Sequence, residues 1–347
     1  MRLLRSRLAV DPANPGLAVE LARRYIDLGR SEADPRYQGY AQAALSPWWS
    51  DEKPPLDVLL LLRAMLRQSR HDFGGALADL AQVLDRDPRN AQAWLTRAVI
   101  LRVTGDYAEG RRSCARLVRL AEPLVGTACI AAIASLTGEG ERSYRLLLQQ
   151  LEQVQDIDDA ERLWVLTLLA EMAARLDRSP AADAHFRDAL SLGIRDPYLL
   201  AAYADFLLDE GRPSEALRLV KNETRIDGLV LRRVLAERSL DGASPDAGVR
   251  DLQARFEAGH RRADTVHRRE EAWFTLKLLN EPKRALGIAM ENWAVRREPT
   301  DARIALEAGL AAHDYSTVEP VVRWLEENRL EDIRIKPLIA RFKEVRP

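Results

Sequence analysis

The chain of 347 residues holds two cysteines, five histidines, four methionines and only 6% aromatic residues. Two cysteines are too few for a scaffold stapled by several disulfides. The histidines, at 71, 185, 260, 267 and 313, are scattered, and none falls in a paired-His zinc motif. Long apolar runs are missing as well. The longest, 128–134, is far short of the ~20 residues a membrane-spanning helix needs. Neither sign of charge is in excess: 52 basic and 53 acidic residues leave a net −1, which argues against a basic sleeve for nucleic acid. No glycine-rich phosphate cradle and no nucleophile elbow occurs. The expectation is a chain that is not an enzyme, with no cofactor and no metal. Nothing in it signals an oligomeric state.

What is abundant is Ala, Leu and Arg, and these recur with a period. The stretch 57–124 reads as two copies laid 34 residues apart, with Leu60 on Trp94, Ala64 on Ala98, Asp72-Phe73 on Asp106-Tyr107 and Leu80 on Cys114. Asp87-Pro88 meets Glu122-Pro123 one residue late. Each copy carries two amphipathic helices, the first marked by Leu59, Leu62 and Leu66, the second by Ala76, Leu77, Leu80, Val83 and Leu84. Asp72 stands at a helix start, and Pro88 ends the copy because it cannot continue a helix. Small Ala64 and Ala76 let the two helices cross closely. One hairpin cannot cover its own apolar face; stacked neighbours do, at roughly 1.5–3 kcal/mol per large side chain removed from water.

These marks in this order resemble the tetratricopeptide repeat family. Looser copies follow at Ala132, Tyr144, Leu148 and Leu151, at Leu169-Ala170, Ala182, Phe186 and Ala189, and at Tyr203-Ala204, Gly211 and Ala216. Degenerate ones hold Ala272, Ala285 and Ala289, then Tyr315, Val318, Val322 and Leu325. The resemblance implies an all-α fold: an α-solenoid of about nine such hairpins wound as a right-handed superhelix. Residues 1–56 are expected to form an N-terminal hairpin ending in a Trp48-Trp49 turn, 57–222 a regular array, 223–330 degenerate hairpins and 331–347 a capping helix. The tryptophan pair is either a plug on the next hairpin or an exposed aromatic shelf. The polar bridge Gly259–Asp264 is the expected hinge.

In this family the first helix of each copy lines a concave face. Carried over by register, that face holds an apolar stripe, Leu61, Met65, Leu95 and Val99, and a charged set, Glu171, Arg175, Asp205, Asp209, His267, Glu270, Arg303 and Glu307. The charged set is either a selective groove or an ion-pair network between stacked helices, which contributes little per exposed pair. The family's clamp for chaperone tails uses Lys and Asn where this chain has Leu61, Met65, Leu95 and Val99, so that role is not expected. Asn292, beside a core Trp293, is expected to cap backbone carbonyls at the turn between copies. The resemblance implies a scaffold that binds a peptide or partner segment in its groove. The alternative is a regulatory sensor whose superhelix closes on a small ligand or short peptide.

Cys114 and Cys129 are symmetric about a turn near Glu122, which sets them level on adjacent helices. They are within bridging reach if both point between the helices; otherwise they are two buried thiols acting as small apolar side chains. The chain resembles bacterial tetratricopeptide proteins of the exported kind, and a disulfide suits an oxidising compartment. The expected location is the periplasm, for a mature form from which a signal peptide has been removed, with the cytoplasm as the alternative.

Overall fold

The computed structural model describes residues 1–32, 34, 36–50, 54–241, 246–262 and 266–345. Among these the chain is helical throughout, with no strand. A single helix α1 (Arg2–Val10) is followed by nine hairpins, each of an A helix and a B helix. They are α2 (Pro15–Glu32) with α3 (Arg36–Ala44), α4 (Asp57–Ser69) with α5 (Phe73–Arg86), and α6 (Ala91–Thr104) with α7 (Tyr107–Leu117). Next come α8 (Pro123–Ala134) with α9 (Gly140–Gln153), α10 (Asp159–Arg175) with α11 (Ser179–Ser191), and α12 (Pro197–Asp209) with α13 (Pro213–Val220). The last three are α14 (Asp227–Asp241) with α15 (Asp246–Arg261), α16 (Arg268–Lys277) with α17 (Pro282–Trp293), and α18 (Pro299–Ala312) with α19 (Tyr315–Glu327). Helix α20 (Lys336–Val345) closes the chain. The chain divides into two compact units, Met1–Arg102 with Ala108–Cys129, and Val103–Tyr107 with Ile130–Pro347.

In the first unit α2 packs on its own partner α3 and on the next A helix, α4, which in turn packs on α5. Their core joins Leu21, Ala22, Tyr25, Ala41, Leu45, Leu59, Leu62 and Leu66, with Trp48 and Trp49 both partly buried against it. The tryptophan pair is thus the plug and not the shelf. A 3-10 turn at Ser46–Trp48 aims the carbonyls of Trp48 and Trp49 at Arg63, which donates to them at 2.9 and 2.7 Å. The same guanidinium grips Asp79 with two bonds of 3.0 and 2.7 Å, and Arg67 adds a third at 2.9 Å. Asp72 caps α5 by accepting from the Gly75 amide at 3.0 Å, as its place before Phe73 suggests. Cys114 on α7 and Cys129 on α8 point toward each other, their sulfurs at bonding distance (2.01 Å) and their Cα atoms 5.6 Å apart.

In the second unit the stacking follows chain order. From α10 to α16 each A helix contacts its own B helix and the A helix of the next hairpin, α10 on α12, α12 on α14, α14 on α16 and α16 on α18, while α18 contacts α19 and the closing helix α20. The largest core here runs from Val230 through Trp273, Trp293, Leu306 and Val322 to Phe342. Hairpin turns in this unit pass through a left-handed residue at Gly105, Gly138, Asp177, Gly211, Asn280 and His313. That conformation suits glycine, and a side chain there is strained. Helix α13 is only eight residues long, an irregularity at the end of the stretch expected to be regular. Asn292 is buried, but its amide donates to the Asp301 carboxylate at 2.8 Å and not to a carbonyl. Asp301 needs this bond because it is itself buried, holding Arg269 at 2.5 and 2.7 Å and the Glu298 amide at 3.0 Å. Two expected boundaries move. Helix α15 continues through Arg261, so only part of the polar bridge is left as a connection, and 263–265 lie outside the described residues. The closing helix starts at Lys336 and not Glu331, because 331–335 are engaged elsewhere.

Candidate interaction surface

Leu61 and Met65 are the fifth and ninth residues of α4, and Leu95 and Val99 hold the same places in α6. Leu61 is buried, and the other three are half-buried. Met65 packs against the N-terminal core. Beside Leu95, Trp94 is fixed at its indole nitrogen, which donates to the Pro88 carbonyl at 2.9 Å. The Arg97 guanidinium lies 6.0 Å from the Trp94 ring centre and pairs with Glu109 at 3.0 Å. The first unit therefore carries half-open apolar side chains at matching places on two A helices, with an anchored tryptophan next to Leu95 in the chain.

The charged set lies in the second unit, and much of it converges. Asp205 accepts two bonds from Arg232, at 2.8 and 2.6 Å, and the Arg232 guanidinium lies 5.3 Å from the Trp273 ring centre. Glu270 is 4.0 Å from Arg232. Arg303 donates to Asp209 at 2.7 Å and to Glu307 at 2.8 Å, and Lys277 approaches Glu307 at 2.7 Å. Glu171 and Arg175 sit apart at the end of α10, where Glu171 accepts from the Tyr198 hydroxyl at 2.6 Å and Arg175 donates to Ser135 Oγ at 3.1 Å. His267 occupies the N-cap of α16 without a side-chain capping bond. Arg232, Lys277 and Arg334 complete the cluster without belonging to the charged set read from register, whereas Asp209 belongs to it. Arg334 gave no local signal at all, since its partner Asp209 is 125 residues away.

Burial and pairing compete at each carboxylate. Burial pushes Glu270 upward, but Arg269 and Arg232 hold it below the usual carboxylate range. Asp209 behaves alike: burial raises it, and Arg303 and Arg334 bring it below normal. Asp205 goes the other way, raised by burial and by the nearby charges of Asp209 and Glu270, against the pull of Arg232. The space left among Asp205, Asp209, Trp273, Arg303, Glu307 and Arg334 is about 30 Å³. That is room for about two water molecules, not for a peptide. Among the described residues no three His, Cys, Asp or Glu side chains group so as to hold a metal ion, and no helix is long and apolar enough to cross a membrane.

The cluster is closed by the chain's own end. Between α19 and α20, the Glu331 carboxylate accepts from the Gly140 amide at the start of α9 (2.8 Å). Two residues on, the Ile333 amide donates to the Arg175 carbonyl at the end of α10 (3.0 Å), and Arg334 donates to Asp209 at the end of α12 (2.9 Å). Further back, the Arg297 amide donates to the Val103 carbonyl at 2.8 Å, and Trp324 packs on Tyr107 with ring centres 5.5 Å apart. Glycine is required at 105, where φ is +80° and an added Cβ would lie 2.8 Å from the Trp324 ring. The C-terminal part of this unit thus lies along a row of earlier hairpin turns.

No family model matches the sequence, and no curated protein matches it. Among solved structures the chain is similar to one in the Cut9–Hcn1 hetero-tetramer of the APC/C, at 12% identity and a TM-score of 0.47 over 95% of this chain and 56% of that one. It thus spans just over half the length of that neighbour. It is also similar to yeast Tom70, at 11% identity and a TM-score of 0.47 over 99% of this chain and 84% of that one. A third is a tetratricopeptide repeat protein from Parabacteroides merdae, at 13% identity and a TM-score of 0.29 over 94% and 98%. The hairpin order, the A-on-A stacking within the second unit and the recurring left-handed turns give this chain an all-α, tetratricopeptide-like fold.

Proposed function

We propose that this solenoid is a non-enzymatic interaction scaffold, with neither cofactor nor metal, whose A helices hold a peptide or helix of a partner protein. One observation carries the reading. Met65, Leu95 and Val99 stay half-open at matching places on A helices 34 residues apart, although Leu61 at an equivalent place is buried. A partner helix with apolar side chains every three or four residues presents a complementary row. Glu171, Arg175, Asp205, His267, Glu270, Arg303 and Glu307 add selectivity where a partner's charges exchange with the internal pairs. The near-even count of 52 basic and 53 acidic residues favours a protein partner over nucleic acid. The alternative is a regulatory sensor that closes on a small ligand or short peptide; the cavity beside Arg303, about 30 Å³, holds only water-sized occupants as it stands. The test is affinity capture with wild type and with Leu95→Glu and Arg303→Glu variants of unchanged helicity. A partner held by wild type and lost from Leu95→Glu is the expected result, and identical partner sets from all three would refute the groove.

We place the protein in an oxidising compartment, the periplasm, with Cys114 and Cys129 bonded. The support is that the two sulfurs face each other at bonding distance inside the first unit. Mass measurement after alkylation, with and without reductant, decides this; two alkylated thiols in native, unreduced protein would place it in a reducing compartment.

A further inference from the structure

The segment 329–334 is bound as a ligand would be. It leaves α19 through Arg329, held at φ +53°, and crosses three successive hairpins before α20 begins. To each it presents one group: a carboxylate to the free amide at the start of α9, a backbone amide to the last carbonyl of α10, and a guanidinium to the last carboxylate of α12. Those receiving groups are the ones that helix ends leave unsatisfied or charged. The segment is only partly covered: Glu331 is exposed, Arg334 is half-buried at 29%, and Ile333 stands 41% exposed with only its backbone engaged. What anchors this region lies next to the contacts and not in them. Asp332 is buried and ties down its own turn through the Arg334 and Lys336 amides, and Ile335 belongs to the core under α20.

We propose that Glu331, Ile333 and Arg334 form an internal ligand. They occupy in cis an edge built from Gly140, Arg175 and Asp209. That edge recognises an extended segment carrying a carboxylate and, three residues later, an arginine. A partner segment of this pattern displaces the strap, and Asp332 and Ile335 keep α20 in place meanwhile. This deepens the scaffold reading and rests on it by naming a second, gated surface; the apolar stripe of the first unit is tested separately by Leu95→Glu, so either can fail alone. Cis docking of this kind gives the strap an effective concentration in the millimolar range, which weak competitors do not overcome. Selectivity for a segment that makes the same three contacts follows from that.

Two measurements on the full chain test it. In wild type, hydrogen exchange at residues 331–334 is expected at least a hundredfold faster than at Ile304–Leu310 in α18, the mark of local opening. Exchange at equal rates would make the strap a permanent seam and overturn the proposal. The second uses a labelled peptide of residues 328–336 as probe. It is expected to bind the strap-reversed variant Glu331→Lys with Arg334→Glu at least tenfold tighter than wild type, with Ile333→Pro as a second releasing variant that removes only the amide. Equal binding to wild type and a folded releasing variant, or none to either, refutes it. If both variants unfold, the exchange comparison in wild type alone decides.

Discussion

Asp209 is the carboxylate on which the closure of the second unit turns, so Asp209→Asn is the most informative single change. Its carboxylate receives Arg303 at 2.7 Å and Arg334 at 2.9 Å, and its side chain is only 16% exposed. Hydrogen bonds to charged groups contribute roughly 1.5–3 kcal/mol each. The arginines are 25% and 29% exposed, so the low end applies, and Asn keeps one acceptor oxygen. The loss is then about 2 kcal/mol, which at ~1.4 kcal/mol per decade is a roughly 30-fold shift toward the open strap. The reporters are the amides of Gly140 and Ile333, since each donates across the closure. Their hydrogen exchange should accelerate about 30-fold in the variant while amides of α14, around Val234, keep their wild-type rates. Acceleration below threefold would mean that Asp209 does not hold the strap. Equal acceleration in α14 would mean that the change unsettles the whole unit, and the reasoning fails either way.

In the first unit, Asp79→Ala strands Arg63, whose side chain is 6% exposed, and should cost about 3–5 kcal/mol in urea unfolding. Replacing both partners, Arg63→Met with Asp79→Leu, should recover most of that loss. Replacing Cys114 and Cys129 by Ser opens a loop of 15 residues and should lower stability by about 3 kcal/mol on the chain-entropy account. Addition of reductant should then change wild type and leave the variant unmoved. Acid should loosen the second unit. Asp209 and Glu270 have depressed folded pKa values, so their contribution is full above the ordinary carboxylate range, roughly pH 4, and is lost as pH falls through the depressed values. Asp205, raised by burial, has the opposite sign and blunts the effect. The melting temperature should fall below about pH 4 less steeply in Asp209→Asn than in wild type.

The hairpins could be read from the sequence because each is a local event. Asp72 before Phe73 is a helix start within one turn, and Pro88 and Pro123 punctuate copies wherever they occur. Stacking in chain order follows, since a hairpin's apolar face has only its neighbours to meet. Register also found the level cysteines. It could not find what depends on the accumulated rotation of many hairpins. Arg303 meets Asp209 across 94 residues and Glu331 meets Gly140 across 191, distances at which no period survives a 39-residue step from Gly138 to Asp177. The run Glu331–Ile335 looks helical by composition, with Ile333 and Ile335 among charges. It is held open because Ile333 gives its amide to Arg175 and not to its own helix. Asn292 shows the same limit on a smaller scale. Its polarity was legible, but its partner depended on Asp301 being buried.

One position in the repeat separates α4 and α6 from α12 and α18. The fifth and ninth residues of an A helix lie one turn apart on the same face. In α4 they are Leu61 and Met65, in α6 Leu95 and Val99, and in α18 Arg303 and Glu307, while the ninth residue of α12 is Asp205. Apolar residues there, Leu61 apart, keep part of their surface in water, although Met65 also packs on the core beside it. Charged residues there are costly to desolvate, so they are stable only where the coil brings opposite charges within reach. Asp205 meets Arg232, and Arg303 meets Asp209 and Glu307. The same backbone place thus leaves α4 and α6 with part-open apolar surface, and α12 and α18 with charges already matched. A partner gains apolar burial directly in the first unit, whereas in the second it must match an existing set of ion pairs before it gains anything. Affinity is therefore expected from Leu95 and its apolar neighbours and discrimination from the Asp209 edge.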